Sequence, residues 1–301
     1  SAPLVFITFA ISGWLIGTQQ PRRALAIIVL MNALNIFFDL LFIVYFDMAS
    51  AGAAWATLIA EASAFVLGCY FLARYSGALK TMLWPRWLNS TELLAMLRVN
   101  YYLLVRTIIL MLVFNYFTAQ GAAFGDDTLA ANAIILQLFF FAVFVMDGIS
   151  YAAEALCGES YGGKDFLLLR RLIVYCGQWE LIAAISFSVS YLLFGEFIVT
   201  LFSDVANVIT VALAHRGWLI ALPIVGCIAY LLDGVCIGAG QTRAMYYSIL
   251  LSTFGVFLPT WLFTKASLGN HGLWLAFAAF NAARGIYLTV YWKRLLSRQS
   301  F

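Results

Sequence analysis

Charge is scarce in this chain: 10% of its residues are Asp, Glu, Lys or Arg, while 64% are hydrophobic. An ordinary soluble domain is about a quarter charged and about half apolar, so a water-soluble globule is excluded. Histidine is scarcer still, and neither His215 nor His271 belongs to an HExxH pattern. The usual frame of a zinc hydrolase is therefore missing. Neither a GxGxxG run nor a P-loop occurs, which argues against direct use of ATP. The five cysteines (Cys69, Cys157, Cys176, Cys227, Cys236) show no CxxC spacing and no histidine partner; they read as small buried hydrophobes. No basic run is interleaved with aromatics, so no nucleic-acid partner is expected. The first residues, Ser1-Ala2-Pro3, lead straight into an apolar segment with no charged leader or small-residue cleavage site, which reads as a truncation rather than a signal peptide.

Long apolar runs fill the space. Splitting the chain at charge clusters and Gly/Pro breaks predicts nine spans, about 2–19, 23–46, 51–74, 98–119, 128–153, 168–194, 210–237, 244–264 and 272–293. Runs of that length are helices, since barrel strands alternate over roughly ten residues. The expected fold is an all-α integral membrane protein. Lys and Arg fall almost entirely on one set of connections (Arg22, Arg23, Arg74, Lys80, Arg86, Arg98, Lys164, Arg170, Arg171, Arg243, Lys293, Arg294, Arg298), leaving Arg216 and Lys265 opposite. By the positive-inside rule that set is cytoplasmic, and the carboxyl terminus lies inside.

The longest hydrophilic stretch, 76–97, carries Trp84 and Trp87 beside Pro85 and Arg86, as suits an interfacial segment. It separates three spans (1–75) from six (98–301). An internal repeat supports this division. At an offset of 221, residues 13–42 overlay 234–263, with Gly13/Gly234, Gly17/Gly238, Gln20/Gln241 and Arg22/Arg243 coinciding at one helix–turn–helix junction. The following helices match after a two-residue slip, AGAAW (51–55) against NHGLW (270–274). Both junctions face inward, so the repeat is parallel.

A Gly-x-x-x-Gly…Arg turn repeated in this way, the stretches DGISYAAEALCGESYGGKD from Asp147 and DGVCIGAGQTRAM from Asp233, and Arg106 in LLVRTIILMLVFNYFTAQGAAFG resemble the multidrug and toxin extrusion transporters, in their DNA-damage-inducible F branch. The resemblance covers essentially the whole chain, as helices four to twelve of a two-lobe, twelve-helix transporter. It implies a monomeric, multi-pass protein of the bacterial inner (plasma) membrane. It further implies export of lipophilic or cationic organic compounds in exchange for protons or sodium ions, by alternating access around a central cleft. No cofactor besides the coupling ion and no enzymatic activity are implied. A lipid-linked precursor flippase of the same superfamily and an inactive fragment are the rival readings; the flippase calls for several arginines toward phosphate, and this membrane interior is acid-rich.

Ionisable groups at membrane depth are costly unless paired, hydrated or neutralised. Six acids (Asp39, Glu61, Asp147, Glu154, Glu180, Asp233) face two bases (Arg106, Arg284), a surplus that a proton, a metal cation or a cationic substrate relieves. Asn32, Asn35 and Asp39 share one helical face; it serves either cation binding, with Asp39 foremost, or interhelical hydrogen bonding. Asp147, Tyr151 and Glu154 share another, and depth suggests an Arg106–Asp147 pair, structural or proton-switched. Asp233 and Glu154 sit low, near the inner ends of their spans, where they serve a gate or neighbouring basic residues. Glu61 follows Thr57 at i+4, Asn281 and Arg284 share a face, and Glu180 has no sequence partner. Pro223 and Pro259 interrupt two spans, for bending or as static kinks. Asn115, Tyr116 and Phe117 are aromatic-rich candidates for substrate contact. Gly13, Gly17, Arg22, Gly234, Gly238 and Arg243 read as turn motifs.

Overall fold

The computed structural model describes residues 2–75 and 90–299. These form α1 (Ala2–Gly17), α2 (Pro21–Asp39), α3 (Ala49–Tyr75), α4 (Ser90–Ala122), α5 (Asp126–Gly162), α6 (Phe166–Phe202), α7 (Ala206–Ala214), α8 (Arg216–Gly238), α9 (Thr242–Ser252), α10 (Leu258–Leu268) and α11 (Asn270–Gln299). Two π-helical segments, Leu40–Tyr45 and Thr253–Phe257, continue α2 and join α9 to α10. Among the described residues there is no strand, and eight helical stretches are long and apolar enough to cross a membrane, with the 16-residue α1 as a shorter apolar helix. Large apolar side chains remain uncovered along these helices, including Phe6, Val44, Phe144, Phe197 and Phe263. A surface of that kind needs lipid rather than water against it.

Several boundaries differ from the sequence reading. Helices α5 and α6 run to Gly162 and Phe202, past the expected ends at 153 and 194, because Glu154 and Glu159 in α5 and Glu196 in α6 are tolerated within a helix rather than ending it. The expected span 210–237 is broken at His215 into α7 and α8. Residues 90–97 of the expected linker already belong to α4; the interfacial stretch with Trp84, Pro85, Arg86 and Trp87 lies outside the described residues. Pro223 sits inside α8, whereas Pro259 occupies the first turn of α10, where its missing N–H is not needed.

Contacts divide the chain into two compact units, Ser1–Ser90 and Thr91–Phe301. In the first, α2 packs on α3 and α1 on both, around Ile11, Leu15, Ala24, Ile27 and Ala64. In the second, α8 packs on α5, α6 and α11. Its core holds the rings of Phe117, Phe139, Trp274, Phe277 and Phe280 and a smaller-residue cluster with Ala153, Cys157, Cys176, Val235 and Cys236. Cys157, Cys176, Cys227 and Cys236 are buried and unbridged.

The repeat is visible inside both units. Helix α1 ends at Gly17 and α8 at Gly238, α2 begins at Pro21 and α9 at Thr242, α3 at Ala49 and α11 at Asn270, each 221 residues apart. The two-residue slip is therefore not seen in the element boundaries. The tryptophans behind it do different jobs: Trp274 is fully buried and bonded to Asn132, while Trp55 is exposed. The turns themselves are alike. Gln19 and Gly240 adopt positive φ (61° and 67°), and the N–H of Gln20 reaches the Leu15 carbonyl at 2.8 Å as that of Gln241 reaches Cys236 at 2.7 Å. This is a left-handed helix termination that satisfies the last carbonyls.

The glycines expected to make these turns do not make them. Gly13 and Gly17 lie within α1, and a Cβ added at either would meet no other described element within 4 Å. Gly234 and Gly238 lie within α8 and press its backbone against Ser150, Glu154 and Gly158 of α5; only small residues allow such an approach. Arg22 and Arg243 occupy the first turns of α2 and α9.

Candidate functional site

Within the first unit, the polar face of α2 meets α3. Asn35 Nδ2 donates to Thr57 Oγ1 at 3.3 Å. Asp39 is the last residue of α2, directly before the π-helical segment; π-bulges occur mostly as single turns and often at functional sites. Asp39 Oδ1 and, one turn beyond Thr57 on α3, Glu61 Oε2 are buried without a hydrogen-bond partner among the described residues. Asn32 is exposed and makes no such seam contact. The first unit therefore holds two half-buried carboxyls, each with an unsatisfied oxygen, either side of an Asn–Thr bond.

In the second unit the charges converge on Asp233. Its Oδ2 accepts from Nη2 of Arg106 on α4 and from Nη2 of Arg284 on α11, the latter at 2.5 Å. Arg284 is 1% exposed; its Nη1 donates to Asn281 at 3.3 Å, and the guanidinium lies over the rings of Tyr230 and Phe280 at 5.6 and 5.4 Å. The expected Arg106–Asp147 pair is thus replaced by Arg106–Asp233. Asp147, half-buried on α5, interacts with Arg106 and Asp233 only through the field. Two arginines and two aspartates balance in charge, with the direct bonds made by Asp233. Of the two expectations for Asp233, a gate or service to neighbouring basic residues, the contacts match the second, and they put Asp233 at the centre of a buried triad. The α8 helix ends five residues later, but its neighbours carry their arginines to the same level.

The other sequence candidates are dispersed. Tyr151 is exposed and Glu154 half-buried, and the Glu154 backbone carbonyl abuts Gly238. Asn115 is exposed and bonds its own helix at Met111, Tyr116 packs on Phe257, and Phe117 is fully buried among core rings. Phe117 is thus part of the core, and it also lines a small cleft of about 200 Å³ with Thr118, Gln137 and Phe140.

Sequence reasoning missed a polar clasp between α5, α11 and the α7–α8 break. Asn132 and Asn270 exchange side-chain bonds at 2.8 and 2.9 Å, Trp274 Nε1 donates to Asn132 at 2.9 Å, and Asn270 Nδ2 donates to His215 Nε2 at 3.0 Å. His215 Nδ1 donates to the Val211 carbonyl at 2.8 Å, and its ring stacks on His271 at 4.2 Å, which accepts from Trp218 Nε1 at 3.1 Å. Two histidines 56 residues apart carry no local signal of this. Burial holds the His215 imidazole below its ordinary value of 6.5, with His271 adding to the effect and the Val211 bond opposing it. As pH falls, the unfolded chain takes up that proton first, so folded-state stability is full above about pH 6.5 and declines below it. Melting curves at pH 8 and pH 5 should show this acid loss, reduced in His215→Gln; an identical loss in the variant would remove His215 as its source.

The MatE family model matches residues 103–262. DNA damage-inducible protein F of Escherichia coli is 36% identical over 298 residues, covering 98% of this chain and 64% of that protein. Protein DETOXIFICATION 43 of Arabidopsis thaliana is 25% identical over 285 residues, 95% of this chain and 53% of that protein. The chain thus spans less than two thirds of the length of these relatives. Among solved structures, a mutant of the Vibrio cholerae MATE transporter VcmN superposes with a TM-score of 0.87 at 20% identity, covering 97% of this chain and 66% of that one. A MOP superfamily transporter from Pyrococcus furiosus superposes with a TM-score of 0.87 at 16% identity, over 99% and 68%. These likenesses establish the shared helical fold. Because the family model spans 103–262, more than half of the 301 residues, the chain belongs to the MatE family of multi-pass membrane proteins.

Proposed function

We propose that the chain is part of a secondary active antiporter of the bacterial inner membrane, exporting lipophilic or cationic organic compounds in exchange for protons, with sodium as the second candidate ion. The observation that carries this reading is the α2–α3 seam, where Asp39 and Glu61 each keep a buried oxygen without a partner among the described residues. A carboxyl at membrane depth in that state is stabilised by whatever cation it binds, and a proton is the smallest. The lipid-linked flippase reading is less favoured, since Arg106 and Arg284 are engaged by Asp233 instead of being presented to a phosphate. With the basic connections taken as cytoplasmic, the carboxyl terminus lies inside.

The test is efflux of a fluorescent organic cation from vesicles carrying the protein expressed from its complete gene, under an imposed proton or sodium gradient. Proton-driven efflux is expected. Response to neither gradient would end the antiport reading. In Asp39→Asn, coupled efflux should drop at least tenfold while the melting temperature stays close to that of the parent, because one carboxylate oxygen has no bond to lose. Undiminished coupling in that variant would remove Asp39 from the coupling site.

A further inference from the structure

Glu180 lies near the middle of the 37-residue α6, roughly 21 Å along the helix from its first residue. It is 1% exposed, and neither carboxyl oxygen has a hydrogen-bond partner among the described residues. The stripe on which it sits, with Cys176, Ala184 and Ser188, is the buried face of α6, packed on α5 and α8. Ser188 Oγ on the same face is also unpartnered. Among the described residues of the second unit no other buried carboxyl is in this state: Asp233 holds two arginines.

An ionised carboxylate placed here would have no counter-charge and no donor, a condition that costs several kcal/mol or more. Of the titratable groups on the packed elements, Asp147 on α5 and Cys227 on α8 act on it through the field, with Cys176 one turn away on α6. None is a cation. On α11, which also touches α6, Arg284 is committed to Asp233 and Lys293 is exposed. At the end of α7, His215 is committed to Val211 and Asn270. A metal ion needs several oxygen ligands, and among the described residues no group of three His, Cys, Asp or Glu side chains could hold one. The remaining ligand is a proton.

We infer that Glu180 is a proton-binding site of the second unit, distinct from the Arg106–Asp233–Arg284 cluster and from the α2–α3 seam. The folded bundle holds its carboxyl in the neutral O–H form. Ionisation breaks that O–H bond, leaves the electron pair on the carboxylate and passes the proton to water, and it requires the junction of α5, α6 and α8 to admit that water. Asp147 reaches Glu180 through the field as a second acid, so it supplies no counter-charge for an ionised Glu180. The inference rests on the proposed proton exchange for its role in transport, but the protonation itself does not depend on that exchange.

Infrared difference spectroscopy of the protein in vesicles at neutral pH reads the carbonyl stretch of protonated carboxyls. Glu180→Gln should remove one carboxyl's share of that band, and Glu180→Asp should shift it. A band unaltered in Glu180→Gln shows an ionised Glu180 and overturns the proposal. Should that variant not fold, an unshifted band in Glu180→Asp overturns it equally. The same samples separate this idea from the antiport reading. Loss of the band without any gradient-driven efflux leaves the site standing and removes antiport, while efflux with an unaffected band does the reverse.

Discussion

Asp233→Ala is expected to cost most of the folded protein. Among the described residues Asp233 is the one direct counter-charge for two guanidinium groups, and Arg284 is only 1% exposed. Removing one partner of a buried ion pair leaves an uncompensated charge, at about 3–5 kcal/mol. For a chain of this length that corresponds to a fall in melting temperature of roughly 10 °C. Asp233→Asn keeps the shape and a hydrogen-bond acceptor, so the part of the loss it reproduces is electrostatic. That part should dominate. The double variant Asp233→Leu with Arg284→Met should recover stability relative to Asp233→Leu alone, since it removes one of the orphaned charges along with its partner. Asp147→Asn should be much milder, because Asp147 is half-buried and makes no direct bond to either arginine. Melting of Asp233→Asn at the parental temperature would show that the arginines find other partners and that the triad does not hold the unit together.

The triad also marks where sequence reasoning stops. Apolarity and charge spacing sufficed for the helical membrane fold, because lipid imposes one rule on every span. The repeat was legible because Gln and Arg are uncommon in such a chain: Gln20 bonds Arg23 in one copy, and Gln241 bonds Tyr161 and Tyr291 in the other. Depth along a helix suggested Asp147 as the partner of Arg106. The true partner lies 127 residues away, and choosing between two acids at similar levels needs the rotation of α8, which hydropathy does not encode. The break at His215 was hidden for a similar reason: Ala206–Gly238 is apolar on both sides of it, and its polar stitches to Asn132 and Asn270 come from distant helices. Glu180 was recognisable as an acid without a local partner, yet the burial that gives it meaning appears only once α5, α6 and α8 are assembled.

The glycines of the repeat supply the second large effect, and a built-in contrast. In Gly238→Ala the new Cβ would fall 2.0 Å from the Glu154 carbonyl oxygen and 2.8 Å from its carbon. Those are backbone atoms of a continuous helix, so no side-chain rotation relieves the overlap. Gly158 on the other side is also too close to take a side chain without a shift, with its own Cβ position 2.8 Å from the Gly238 oxygen. Helices α5 and α8 have to separate, which loosens Ala153, Cys157 and Val235, all fully buried. Overpacking a core ordinarily costs about 1–3 kcal/mol, and a displaced helix pair belongs at the upper end. Gly17, the counterpart 221 residues earlier, has nothing within 4 Å of its Cβ position, so Gly17→Ala should change stability by no more than about 0.5 kcal/mol. The measurement is monodisperse yield and melting temperature of the two variants side by side. Equal behaviour would mean that the two copies of the motif carry the same contact and that the close approach of α8 to α5 is not what Gly238 is for. Unequal behaviour in the stated direction would show that one glycine pattern, duplicated in sequence, carries an interhelical contact within its own unit in the second copy alone.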